Sequence, residues 1–338
     1  MRFLDYLHRA AEGQRFSGEE AVEAMGLLLE GEATTAQIAG FAVALRMRGE
    51  TGEELYGFAR ALRERVRRVE TGGLAVVDTC GTGGDGQGTF NVSTVAAFVA
   101  AGAGARVAKH GNRSLSSQCG SADIFEALGV KIALEPEQMG ECIREVGIGF
   151  LFAPALHPAL KHAQAARLEL KMRTVFNLLG PLANPAGARA QLVGAPSAKA
   201  AELMADALSR LGLEHGFVVH GDDGMDEIST TAETLALEVR AGAVTRRRLR
   251  PEDFGVERAR LQDLLGAGKD VNVGIARAVL GGETGPRRDI VMVNASAALV
   301  AAGRAADFAA GMKMAGESID SGAAREKAAR LAEFTQQL

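Results

Sequence analysis

The sequence predicts an α/β protein in two parts. A small N-terminal α-helical domain covers residues 1–70 and is joined by a later segment around 165–188; a large α/β domain covers 71–338. The large domain is expected to hold a central, mostly parallel sheet flanked by helices. Three observations carry this prediction. Helix-capping boxes recur in the first 70 residues. From residue 74 onward, short apolar runs without polar alternation are separated by helical stretches, the pattern of strands buried on both faces of a parallel sheet. Gly-rich or cation-rich loops follow several of these runs directly, as loops at the carboxyl ends of such strands do.

The helical part comes first. Ser17…Glu20, Thr34…Gln37 and Thr51…Glu54 each place a hydroxyl three residues before a side chain that can reach back to the cap. The helix after Ser17 carries Ala21, Met25, Leu28 and Leu29 on one face and stops at Gly31. The next carries Ile38, Phe41, Ala42 and Leu45 and ends near Gly49. Helices this short need a partner surface. Strands are expected at 74–78, 105–108, 130–134, 148–152, 190–194 and 217–220, with a helix opening near Val92. Residues 234–240 and 244–249 alternate and predict an antiparallel pair at one edge. From about Glu257 the chain reads as helical.

Composition narrows the function. The 338 residues are 47% hydrophobic and 24% charged, with a formal net charge of -4. That balance asks for neither nucleic acid nor an anionic membrane, and the absence of Trp argues against a stacking platform. Cys80, Cys119 and Cys142 are scattered, without metal-finger spacing, which suits a reducing cytoplasm. Asp5 interrupts any leader-like run, and the most apolar stretch, 95–108, is too short to span a bilayer.

Four segments carry chemistry. The first is Gly81-Thr82-Gly83-Gly84-Asp85-Gly86, followed by Thr89-Phe90-Asn91-Val92-Ser93-Thr94 at a helix start. Glycines let backbone N–H groups converge on an anion, and free N–H groups at the helix start would favour a phosphate. The hydroxyls of Ser93 and Thr94 suit phosphate or magnesium. No Gly-Lys-Ser/Thr follows, so this is no Walker loop, and the glycine spacing is not that of a dinucleotide site. A tight turn without a ligand is the alternative. The second segment, Lys109-His110-Gly111-Asn112-Arg113-Ser114-Leu115-Ser116-Ser117, puts two cations beside hydroxyls, a set that neutralises phosphate charge. The third, His220 to Ser229, contains Asp226-Glu227, a pair that suits divalent cations bound with a diphosphate; a solvated acidic turn is the alternative. The fourth runs from His157 through Arg167 to Arg173-Thr174, Asn177 and Gly180-Pro181. It reads either as a clamp for a planar aromatic acid or as helix packing.

Together, Gly81-Thr82-Gly83-Gly84-Asp85, Asn91 to Thr94, Lys109 to Arg113, Arg173 to Leu182 and Asp226-Glu227 resemble the anthranilate phosphoribosyltransferase family, over almost the whole chain and including Asn294-Ala295. The first motif alone also fits pyrimidine-nucleoside phosphorylases, and some relatives bind nucleic acid without transferase activity. The resemblance implies that 5-phosphoribosyl 1-pyrophosphate lies against Gly81, Gly84, Asp85, Thr89, Asn91, Val92, Ser93, Thr94, Lys109, Gly111, Asn112, Arg113, Ser114, Ser116, Ser117 and Ser121. It implies that Gly81, His110, Asn112, His157, Arg167, Gly180 and Pro181 meet anthranilate. Two Mg2+ ions are expected, one on Ser93 and Glu227 and one on Asp226 and Glu227. It assigns no acid or base, and it implies a homodimer joined through the helical domains. Cys119 and Lys171-Met172 depart from the family's usual small residues.

Overall fold

A computed structural model describes residues 1–113 and 119–338. Helices α1 (Phe3–Ala11), α2 (Gly18–Leu29), α3 (Thr35–Arg48) and α4 (Gly52–Glu64) open the chain. All three expected capping boxes form: the Ser17, Thr34 and Thr51 hydroxyls accept from the N–H groups of Glu20, Gln37 and Glu54, whose side chains accept from the cap N–H groups in return. Glu54 goes further. Fully buried, it also accepts from Phe16 N at 2.8 Å and pairs with Arg48 at 2.5 Å, so one carboxylate ties the α1–α2 and α3–α4 connections together.

Seven strands make one sheet in the order β3-β2-β1-β4-β5-β6-β7: β1 (Val77–Asp78), β2 (Val107–Gly111), β3 (Ile148–Phe152), β4 (Ala190–Gly194), β5 (His215–Gly221), β6 (Thr234–Arg240) and β7 (Ala243–Leu249). The first five run parallel; β6 and β7 are the antiparallel edge. Alternate side chains of β5 enter different cores, Phe217 and Val219 on one face and Val218 on the other, which is why the run shows no polar alternation. Helix α5 (Val92–Gly102) lies on the first face with the helices Pro286–Ala301 and Ala323–Gln337. On the second face the core of α1–α4 is continuous with the helix Ala198–Arg210 and with Val218, Leu235 and Leu237 of the sheet. Ala163, Ala166, Val175 and Phe176, from the 161–179 stretch, belong to the same core.

Two strand expectations need correction. Residues 130–134 form no strand: Val130, Ile132 and Leu134 are buried while Lys131 and Ala133 are exposed, and Lys131 N donates 3.0 Å to the Thr335 hydroxyl instead of to a neighbouring strand. The first strand is only Val77–Asp78, because residues 74–76 have no partner in the sheet. Strand β1 lies between β2 and β4, so connections leave it in opposite directions and a crevice opens at its carboxyl end.

Candidate active site

The crevice is a cleft of about 580 Å³. The loops after β1, β2 and β5 meet there without room for extra atoms. At Gly194, ending β4, a Cβ would collide with the Asp226 carbonyl, and at Gly81 it would come within 3.1 Å of the Asp226 carboxylate. Thr82 N donates to Gly194 O at 3.0 Å. Gly83, at φ +68°, turns its N–H onto the Asp226 carboxylate at 2.8 Å. A side chain at either Gly81 or Gly194 would therefore displace an acid of the site.

The acids are sorted by what they face. Asp222 points outward to Arg248 at 2.6 Å, and Asp223 closes its own turn by accepting from Met225 N and the hydroxyls of Ser229 and Thr231. Asp226 and Glu227 are turned into the cleft beside Asp85. Buried Asn294 holds this orientation, accepting from Ile228 N at 2.9 Å and donating to Ile228 O at 3.0 Å. Burial, and then the neighbouring Asp85, raises the Asp226 carboxyl above the usual range; burial, and then Asp226, raises Glu227 well above it. One oxygen of Asp85 is buried with no partner among the described residues. Three crowded carboxyl groups, an orphaned oxygen and the Ser93 hydroxyl form an all-oxygen donor set that fits magnesium.

Cations answer only partly. Lys109 is buried and donates to Thr79 O at 2.9 Å. Arg113, expected to meet phosphate, lies on the cleft rim but pairs with Asp123 at 2.9 Å and Glu126 at 2.7 Å. The start of α5 also differs from expectation: Ser93 N donates to Glu227 at 3.1 Å, and Thr94 N and Val95 N return to Asn91 O, so these N–H groups are not free. The Asn91 side chain does not cap the helix; it donates to Cys119 O and accepts from Asn272. Gly111 is glycine because a Cβ would strike Ser121 and the Phe150 ring.

The far wall is built from the His157 turn, the helix Lys161–Leu170 and the turn Gly180–Leu182. Arg167 lies there largely buried, 6.0 Å from the Phe176 ring centroid, with no hydrogen-bond or acidic partner among the described residues. Burial lowers its pKa, so the guanidinium is poorly compensated. His110 Nδ1 lies 3.1 Å from Gly180 O, and the Nε2 atoms of His110 and His157 are 3.2 Å apart. Beneath them Asp78 is fully buried, accepts from His110 N and Asn184 Nδ2, and is pushed up to about 6 by burial.

Every described residue of the expected site lines this one cleft: Gly81, Gly84, Asp85, Thr89, Asn91 to Thr94, Lys109 to Arg113, Ser121, His157, Arg167, Gly180, Pro181, Asp226 and Glu227. Ser114, Ser116 and Ser117 lie outside the described residues. The sequence reading missed the site roles of Arg173, Asn272 and Asp78. Arg173 donates to Gly83 O at 2.8 Å and was visible within its motif; Asn272, 181 residues from its partner Asn91, left no signal.

The a/b domain of a glycosyl transferase family matches residues 73–325, and the helical bundle domain of a glycosyl transferase family matches residues 4–66. An anthranilate phosphoribosyltransferase of Solibacter usitatus is 60% identical, with 99% of each chain covered. The crystal structure of the anthranilate phosphoribosyltransferase of Thermus thermophilus superposes with a TM-score of 0.93 at 45% identity, covering 98% of this chain and 99% of that one. The Saccharomyces cerevisiae anthranilate phosphoribosyltransferase, in complex with PRPP and Mg, gives 0.91 at 27% identity, covering 99% and 98%.

Proposed function

Because the chain belongs to the anthranilate phosphoribosyltransferase family, we infer that its cleft transfers the phosphoribosyl group of 5-phosphoribosyl 1-pyrophosphate to the amine of anthranilate. The products are N-(5-phosphoribosyl)anthranilate and pyrophosphate, a step of tryptophan biosynthesis. One observation carries the reading: a single cleft holds carboxyl groups only partly compensated at one end and, at the other, a largely buried guanidinium with no hydrogen-bond or acidic partner among the described residues. A metal-bound diphosphate answers the first and an aryl carboxylate the second.

We assign the diphosphate end to the residues named for 5-phosphoribosyl 1-pyrophosphate above, including Ser114, Ser116 and Ser117. Ser93, Asp226 and Glu227 would hold two magnesium ions, which would supply charge neutralisation for the leaving pyrophosphate. Lys109 adds a fixed positive charge on the same side, and Gly81, Gly83 and Gly84 let the chain approach the ligand closely. At the other end Arg167 takes the aryl carboxylate, with Asn112, His110, His157, Gly180 and Pro181 around the ring. The aryl amine is neutral at pH 7, so the chain's task is to align it with the anomeric carbon.

Mixing the protein with anthranilate, 5-phosphoribosyl 1-pyrophosphate and magnesium tests this by loss of anthranilate fluorescence. Phosphorolysis of thymidine without anthranilate turnover would mark a nucleoside phosphorylase, and salt-sensitive DNA binding without turnover a nucleic-acid-binding relative. We place the helical unit at residues 1–70 plus 165–188, the α/β unit at 71–338, and a homodimer contact on the helical unit. We place the enzyme in the cytoplasm, which suits buried thiols at Cys80 and Cys142 that form no disulfide. No helix among the described residues is long and apolar enough to cross a membrane.

A further inference from the structure

The two histidines of the far wall have one consistent arrangement of protons. A carbonyl oxygen only accepts, so His110 Nδ1, 3.1 Å from Gly180 O, carries the hydrogen. Burial, then His157 and Lys109, lowers His110 well below the ordinary imidazole range, which keeps the ring neutral and leaves its Nε2 a lone pair. His157 Nε2, 3.2 Å from that lone pair, must then donate. Burial brings His157 down to about 4, so this ring is neutral as well and its Nδ1 is a bare lone pair. The reverse arrangement would face two lone pairs across 3.2 Å and bury an N–H without an acceptor. His157 is 4% exposed, lines the cleft, and its Nδ1 has no partner among the described residues.

We propose that His157 Nδ1 is the hydrogen-bond acceptor for the amine of the aryl acid, with His110 and the Gly180 carbonyl fixing the tautomer that makes it one. The inference rests on the function proposed above and adds to it a residue that distinguishes the amine from the rest of the ring. With the carboxylate on Arg167, an ortho amine brings N–H donors into a buried wall, where leaving one unmatched costs about 1–3 kcal/mol. Among the described residues, the other buried acceptors of the cleft without a partner, Thr82 Oγ1 and an Asp85 oxygen, belong to the Gly-rich loop and not to this wall. An N–H held on His157 stops rotation about the aryl C–N bond and aims the nitrogen lone pair. As the nitrogen bonds to the anomeric carbon it gains positive charge, so the N–H···Nδ1 bond strengthens in the transition state. The effect belongs chiefly in kcat.

Two measurements on the full chain test this. In the unmodified protein, ¹⁵N resonances of the imidazoles should report His110 as the Nδ1–H tautomer and His157 as the Nε2–H tautomer. Anthranilate should shift His157 Nδ1 and benzoate, which lacks the amine, should not. Among variants, His157→Gln keeps a polar atom within reach of His110 but loses the acceptor at the δ position, and kcat should fall roughly ten- to hundredfold with KM for 5-phosphoribosyl 1-pyrophosphate unchanged. His157→Asn restores a polar atom near the δ position and should recover most of that loss. An Nδ1–H tautomer at His157, equal shifts with benzoate and anthranilate, or wild-type turnover by His157→Gln would each overturn the proposal while leaving the transferase reading intact. A wild-type protein that consumes no anthranilate would overturn both.

Discussion

The two ends of the cleft are unbalanced in opposite directions. At the Gly-rich end, Asp85, Asp226 and Glu227 crowd together, answered only in part by Arg173 acting on Asp226 and Lys109 acting on Glu227. At the far end, Arg167 lies over Phe176 with no acidic partner among the described residues, on the wall that also carries two histidines kept neutral by burial. The helical part of the same chain handles a buried charge differently: Glu54 is fully buried yet receives Arg48 and two backbone N–H groups. A buried charge that the fold completes supports structure, and one that the fold leaves incomplete points to a ligand.

The contrast can be broken most severely at the acid end. Asp226→Asn with Glu227→Gln should cut turnover by at least about 100-fold, since removing one stabiliser of developing charge typically costs 10²–10³. Unchanged turnover would refute the metal assignment. At the guanidinium end, Arg167→Met should raise KM for anthranilate roughly tenfold or more while KM for 5-phosphoribosyl 1-pyrophosphate stays put, because a buried charge pair loses one member. If both constants move equally, the two ends are not separate.

Stability sharpens the comparison with a smaller effect. A carboxyl whose proton affinity is raised by folding supports the fold below its unfolded pKa and loses that support as pH rises through its folded value. Burial raises Asp226 to about 6 and Glu227 well above its ordinary range, so the metal-free protein should lose stability as pH rises from about 4 through the folded value of Asp226 and then that of Glu227. Magnesium should therefore raise Tm more at the upper pH, and Asp226→Asn should shrink that difference. Equal shifts at both pH values would contradict it. The smallest effect is expected at Arg173, whose side chain donates to Gly83 O and whose own carbonyl accepts from Arg46 at 2.5 Å. Arg173→Met should free the Gly-rich loop and raise KM for 5-phosphoribosyl 1-pyrophosphate a few-fold, about what one hydrogen bond contributes; an unchanged KM would show that the loop does not rely on this contact.

Legibility in the sequence followed the range of the interactions. The capping boxes at Ser17, Thr34 and Thr51 are local and were readable, as were the loops that glycine and charge mark at strand ends. Residues 130–134 misled because apolar spacing of two fits a strand equally well as an extended cover, and only Thr335, far along the chain, decides between them. Arg113 and Ser93 show the same limit at the site. In this structure the Arg113 guanidinium donates to Glu126 and the Ser93 backbone N–H, not its hydroxyl, donates to Glu227, and nothing near them in sequence says so. Asn272 and Asn294 orient the site from the C-terminal helices, where spacing alone reads as ordinary helix.

The central claim is that both ends belong to one cleft and act on one assembled complex. Calorimetric titration of benzoate, an aryl acid that cannot react, into protein saturated with 5-phosphoribosyl 1-pyrophosphate and magnesium tests it directly. Benzoate should bind at least as well as it does to the free protein, with both ligands held together. Loss of benzoate binding once the diphosphate is in place would contradict it.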